Sequence, residues 1–203
     1  MPRGLGARRQ QILETLAGEL ERNPGARITT ARLAQALEVS EAALYRHFPS
    51  KARMYEGLIG FAEDSVFNLF ARILREESGG VRRCERIVGV LLGFAARNPG
   101  ITRVLMGEAL VGEHERLRGR VAQFFERCEA QLRQVLNQHE LDSGRRLALP
   151  ASVAANFLLA FVEGRLAQFL RSGFRQRPDA DWARVWPAVE RTVFGAAPAP
   201  GEG

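Results

Sequence analysis

The chain has 203 residues, 46% hydrophobic and 26% charged, proportions that exclude an intrinsically disordered chain and leave room for one small domain attached to a larger one. Lys and Arg number 29 against 23 Asp and Glu, a formal net charge of +6 with a sequence pI near 10.5; that favours a polyanionic partner, because each cation set on a phosphate releases condensed counterions. Cys84 and Cys128 lie too far apart for a CxxC pair, no secretory signal is visible, and apolar runs such as 87–96 are broken by glycine and shorter than the roughly 20 residues a bilayer requires. A cytoplasmic protein with two buried, reduced cysteines and no membrane span is expected.

After a polar arm over 1–6 that carries Arg3, the helical spacing of Ile12, Leu13, Leu16 and Leu20 predicts a first helix ending at Asn23-Pro24-Gly25. Thr29 and Thr30 offer hydroxyl caps for a short helix bearing Leu33, Ala34 and Leu37, and Ser40 for another bearing Leu44 and Phe48, the two meeting at Glu38-Val39. Pro49 closes the second, because the residue before a proline is pushed out of the helical region, and Ser50 caps a long helix from Lys51 to the Ser78-Gly79-Gly80 loop. Met54, Leu58, Phe61, Phe67, Phe70 and Leu74 mark its apolar positions.

Further helices are expected over 81–97, ended by Asn98-Pro99-Gly100, over 101–111, and over 113–139, where Leu117, Val121, Phe124, Phe125, Cys128, Leu132 and Leu136 recur near heptad spacing. A loop over 142–149 leads to Pro150 and a helix over 151–172 that is apolar on more than one side, so it is either central or meets a second subunit. An amphipathic segment over 182–194 and a Pro/Gly/Ala tail over 195–203, expected to be disordered, complete an all-α pattern. The divisions implied are a reading domain over 1–50, a helical dimerisation and partner-binding domain over 51–194, and the tail.

The stretch 29–48 carries the functional signal. Leu33, Leu37, Val39, Leu44 and Phe48 knit the two short helices to the first, leaving Glu41, Ala42, Ala43, Tyr45 and Arg46 free, small or polar, as suits a helix in a major groove about 12 Å wide. Thr29, Thr30, Tyr45, His47 and Lys51 can each give a proton to a phosphate oxygen, Lys51 beside a helix N-terminus that itself attracts anions. Glu41 can accept from a cytosine amine, Ala42 or Ala43 can pack on a thymine methyl, and Arg32 is a candidate for guanine.

Leu33, Ala34, Leu37, Val39, Ser40, Leu44, Tyr45, His47, Phe48, Ser50 and Lys51, ahead of a wholly helical remainder, resemble the reading motif of the TetR family of bacterial regulators. The blocks 27–31, 40–51, 92–100 and 125–135 resemble more narrowly the nucleoid-occlusion branch of that family, and the last two lie where TetR relatives diverge. The resemblance implies a TetR-like fold, an N-terminal three-helix helix-turn-helix domain plus a C-terminal helical dimerisation domain. It implies a homodimer on palindromic double-stranded DNA, located in the cytoplasm on the nucleoid, that engages the C-terminal tail of the tubulin-like division protein FtsZ and blocks Z-ring assembly. Positions matching the FtsZ-facing surface are Phe61, Gly93, Arg97 and Asn98, while Leu69 and Val90 depart from the branch, Leu69 replacing a basic residue.

Read from the residues alone, these positions have plainer roles. Phe61 at helical spacing points to the core; Gly93 inside a helix costs up to ~1 kcal/mol relative to Ala and suggests close approach of another chain or helix. Arg97 and Asn98 suit a helix end, as charge complement and cap. The main rival function is a conventional repressor whose helical domain admits a small molecule, with Phe94, Phe124, Phe125, Phe157 and Phe161 as a candidate lining; the plainer expectation is that these rings fill a core. For an enzyme the sequence offers little. His47, His114 and His139 lie apart, Glu113-His114-Glu115 lacks the second histidine of a zinc pair, and there is no GxSxG elbow or phosphate loop. No metal and no cofactor are expected.

Overall fold

The computed structural model of the protein describes residues 5–195, so most of the expected polar arm, including Arg3, and the tail beyond Gly195 lie outside the described residues. Among the described residues there is no strand. Three helices, α1 (Leu5–Arg22), α2 (Thr30–Ala36) and α3 (Glu41–His47), precede the long α4 (Lys51–Glu76). Then follow α5 (Gly80–Arg97), α6 (Pro99–Leu105), a single 3-10 turn (Glu108–Leu110), α7 (Arg116–Ser143), α8 (Ala151–Arg171) and α9 (Trp182–Phe194).

Three of these helices start where the hydroxyl caps predict. Thr29, Ser40 and Ser50 stand in extended conformation just before α2, α3 and α4, and their side-chain oxygens accept from the amides of Arg32, Ala43 and Arg53, which satisfies donors that the helix itself cannot pair. Two elements differ from expectation. The helix expected to reach residue 111 stops at Leu105 because Gly107 takes a left-handed conformation (φ 76) and resets the chain into the 3-10 turn. The next helix begins at Arg116 rather than 113 and runs on to Ser143, where left-handed Gly144 (φ 67) closes it by donating its amide to the Glu140 carbonyl at 3.0 Å.

Ile12, Leu16 and Leu20 of α1 are buried against Ile28, Leu33, Ala34, Leu37, Leu44 and Phe48, and this apolar packing continues into Met54, Tyr55, Leu58 and the helices beyond. Cys84 and Cys128 are buried with the core, and burial pushes both thiols up to about 12. Contrary to the expectation that no segment would qualify, among the described residues α8 is long and apolar enough to cross a membrane by length and composition, with 21 residues and mean hydropathy 1.3 over its most apolar window. Its Ala154, Ala155, Leu158, Val162, Leu166 and Phe169 are nonetheless buried in the helical body, packed with α5, α6 and α7.

The first helix is fastened to the larger body by α6. A Cβ on Gly100 would come within 2.0 Å of the Ala17 carbonyl oxygen, so the two helix backbones are in contact and only glycine fits between them. Three residues on, Arg103 is 2% exposed. Its Nη1 donates to the carbonyls of Leu20 at 2.6 Å and Asn23 at 3.0 Å, and its Nε to Glu108 at 2.8 Å. A guanidinium at the carbonyl end of α1 satisfies acceptors left over by the helix and complements its dipole.

Candidate functional site

The α2–α3 unit presents α3 outward. Leu44 and Phe48 are buried, Glu41, Ala42, Tyr45 and Arg46 are exposed, and Ala43 and His47 are half-buried. Val39, expected in the knitting core, is only partly covered. The turn between the helices places Glu38 at φ 54, and the Val39 amide donates back to the Ala34 carbonyl at 3.0 Å. A side chain with a Cβ is strained there, by roughly 1–2 kcal/mol.

Several residues expected to touch DNA already have protein partners. The Thr30 hydroxyl donates to Glu41 Oε2 at 2.6 Å, and the Tyr45 hydroxyl lies 3.4 Å from Thr30 Oγ1, so these three side chains form one network across the α2–α3 seam. Thr29 spends a lone pair on its cap, and its hydroxyl proton stays available. Arg32 is drawn toward α1, its Nε 2.5 Å from Glu19 Oε2 and its Nη2 2.8 Å from Asn23 Oδ1. Glu19, buried and also bonded by Arg22 at 2.6 Å, has its carboxyl held below the ordinary value of 4.5, first by the Arg22 hydrogen bond and then by Arg32, against the opposing effect of burial.

Lys51 opens α4 as expected, but its Nζ lies 2.5 Å from Glu113 Oε1, with the two side chains 17% and 9% exposed. A phosphate must compete with that carboxylate. Arg46 belongs to the free face expected from the sequence, with no particular contact assigned to it. It is exposed in the last turn of α3 and enters no ion pair among the described residues. Its helical position beside Tyr45 was the available signal.

On the other side of α1, the positions assigned to a partner surface come together. Phe61 is 39% exposed, contrary to its reading as a core residue. The inward stripe of α4 runs through Leu58, Ile59, Ala62 and Val66, which leaves Phe61 at its edge, 6.4 Å from the Phe94 ring. Phe61, Arg97 and Asn98 line a groove of about 290 Å³ whose remaining wall includes Leu13, Ala17 and Glu21 of α1. Asn98 ends α5, its Nδ2 donating to the Phe94 carbonyl at 2.8 Å. Gly93 stands one turn earlier, where a Cβ would meet Arg97 Nη1 at 3.1 Å; the missing side chain makes room for Arg97 to fold along the helix.

A second groove, between α4 and α5, is lined by Leu69 and Val90 and shares Arg97 with the first. The five phenylalanines considered as a ligand lining do not converge. Phe94 and Phe124 are buried, Phe157 is 37% exposed, and Phe161 stacks 5.7 Å from Trp182. A cleft of about 380 Å³ beside α6 and α7 includes only Phe125 of the five. Among the described residues no group of three His, Cys, Asp or Glu is disposed to hold a metal ion.

Comparison with known proteins gives a consistent result. Residues 12–58 match the model of bacterial regulatory proteins of the tetR family, and residues 79–193 match the SlmA-like model of the tetracyclin repressor-like C-terminal domain. The chain is 50% identical over 184 residues to the nucleoid occlusion factor SlmA of Alteromonas mediterranea, covering 91% of this chain and 94% of that one. It is 51% identical over 188 residues to the protein of the same name from Shewanella amazonensis, covering 93% and 95%. Among solved structures, a TetR-family regulator from Agrobacterium tumefaciens superposes with TM-score 0.75 at 21% identity, covering 94% of this chain and 100% of that one.

Proposed function

The chain belongs to the TetR family, in its SlmA-like branch, and on that footing we propose that it is a nucleoid-occlusion factor which, bound to palindromic DNA, engages the FtsZ C-terminal tail and antagonises Z-ring assembly over the chromosome. It coordinates division with segregation from a cytoplasmic, nucleoid-associated position, and it works by binding rather than catalysis. The reading unit over 1–50 supplies the address, and the body over 51–194 supplies dimerisation and the partner surface.

One observation carries the reading. Phe61, Arg97 and Asn98 line a groove whose opposite wall is α1, the helix against which the reading helices pack, so a peptide seated there touches both functional units. On the DNA side, Thr29, Thr30, Tyr45, His47 and Arg46 contact phosphates, while Glu41, Ala42 and Ala43 meet base edges. Arg32 and Lys51 contribute to the extent that DNA draws them from Glu19 and Glu113. Dimerisation is supported by α8, which leaves Val153 (50% exposed) and Phe157 (37%) in an outward row with exposed Ala160 and Gly164. Such an apolar stripe on an otherwise packed helix is what a twofold interface covers.

The test is FtsZ sedimentation with this protein, with and without a palindromic duplex selected for tight binding. DNA-dependent loss of polymer is expected. Unchanged polymer, together with release from DNA by a metabolite, would instead identify a ligand-responsive repressor.

A further inference from the structure

The groove between α4 and α5 extends beyond the positions considered above and reaches α9. Its lining combines Arg72, Arg82, Arg86 and Arg97 with Trp182, and Glu85 is the only carboxylate among the lining residues; its volume is about 470 Å³. Trp182, the first residue of α9, is held by ring contacts to Phe161 at 5.7 Å and Trp186 at 5.3 Å. It lies over Gly89, where a Cβ would come within 3.2 Å of the indole Nε1. Among the described residues that indole N–H has no acceptor. A pinned aromatic with a free donor, rimmed by guanidinium groups, is the usual composition of a binding hot spot.

We propose that Trp182, Arg82 and Arg86 continue the Phe61–Arg97–Asn98 surface onto α9, forming one recognition groove for an extended, acidic peptide with an apolar side chain seated on Trp182. The proposal rests on the reading that the partner is the FtsZ tail and adds which residues select it. Charge identifies the occupant. Arg72, Arg82 and Arg86 lean on Glu76, Glu85 and Glu77, but the arginine side chains are 53%, 63% and 39% exposed, and such surface pairs are weak enough to exchange for a peptide carboxylate. Arg97 enters no ion pair among the described residues. From Arg82 to Arg97 the helix rises about 22 Å at ~1.5 Å per residue, which an extended chain of about seven residues spans.

The groove is also polar along its length. At the α1 end Glu14 and Glu21 line the wall, while at the α9 end the arginines do. The acidic part of the peptide therefore sits toward Trp182, and the part near α1 is neutral or basic.

The experiment uses the full chain on its palindromic duplex, titrated against a fluorescein-labelled peptide of the FtsZ C-terminal tail and followed by anisotropy, with tryptophan emission recorded on the unlabelled peptide. Trp182→Ala and Arg86→Glu each weaken binding about tenfold or more, Trp182→Phe weakens it less than Trp182→Ala because it keeps the aromatic face and loses only the indole donor, and DNA affinity and melting temperature are unchanged. Tail binding alters the emission of the parent, and this change is lost in Trp182→Phe, since Trp186 is buried. Parent-like affinity in both Trp182→Ala and Arg86→Glu overturns the α9 extension and leaves the FtsZ reading standing. No tail binding by the parent on DNA removes the FtsZ reading and the extension with it. Should Trp182→Ala melt early, Arg86→Glu and the loss of emission change in Trp182→Phe decide.

Discussion

Replacing Arg103 by Met keeps a long flexible side chain in place while removing every polar contact between α6 and the end of α1. The guanidinium is 2% exposed and bonds the Leu20 and Asn23 carbonyls at 2.6 and 3.0 Å. The Leu20 carbonyl, left without a donor, costs about 1–3 kcal/mol, at the upper end because the lost donor is charged, while the Asn23 carbonyl keeps the Ala26 amide at 3.1 Å. Relief of the buried charge's desolvation returns part of this, and Glu108, whose side chain is 40% exposed, can hydrate. A net loss of about 2 kcal/mol follows, equivalent to roughly 4–8 °C in melting temperature for a chain of this size. Thermal denaturation followed by circular dichroism, at one fixed protomer concentration because dimers melt in a concentration-dependent way, measures it. DNA affinity falls as well, since the reading unit loses its fixed seat. A drop below about 2 °C would refute the view that Arg103 fastens α1 to the body.

Arg46→Ala flattens the salt dependence of DNA binding by about one counterion, whereas Lys51→Ala flattens it by less, because its ammonium is engaged with Glu113; binding titrations across ionic strength separate the two. Glu38→Gly relieves the left-handed turn between α2 and α3 (φ 54) and raises the melting temperature by about 2–4 °C, corresponding to ~1 kcal/mol. Glu19→Gln destabilises the protein only where Glu19 is ionised. Its folded carboxyl lies below the ordinary value of 4.5, so its contribution is complete above the unfolded value and is lost as pH falls through the folded one. Melting curves of parent and variant therefore converge as pH drops below 4.5, and a gap that persisted in acid would show that packing rather than charge is responsible.

Local chemistry was legible wherever it acts within a few residues. Thr29, Ser40 and Ser50 mark three helix starts because a cap bonds an amide three positions on, and Pro49 and Asn98-Pro99 mark stops for an equally local reason. Where the deciding partner is remote, the reading failed or stayed open. Helix α7 begins late, after a loop whose Glu113 binds Lys51, 62 positions earlier. Spacing put Phe61 in the core, but Leu58, Ile59, Ala62 and Val66 take the inward face of α4, and Phe61 is left on the wall of a groove shared with α1 and the end of α5.

The sequence by itself determined that this is an all-helical protein with a reading unit at its start, because caps, breakers and a 3.6-residue apolar period are local properties of the chain. Tertiary structure alone decided which charges remain free to act. Arg32 and Lys51 are held by carboxylates of other elements, Arg103 is sunk into the end of α1, and Trp182 is brought from α9 to a groove between α4 and α5. A charge takes its role from whatever lies within a few ångströms, and packing places residues there without regard to their order in the chain.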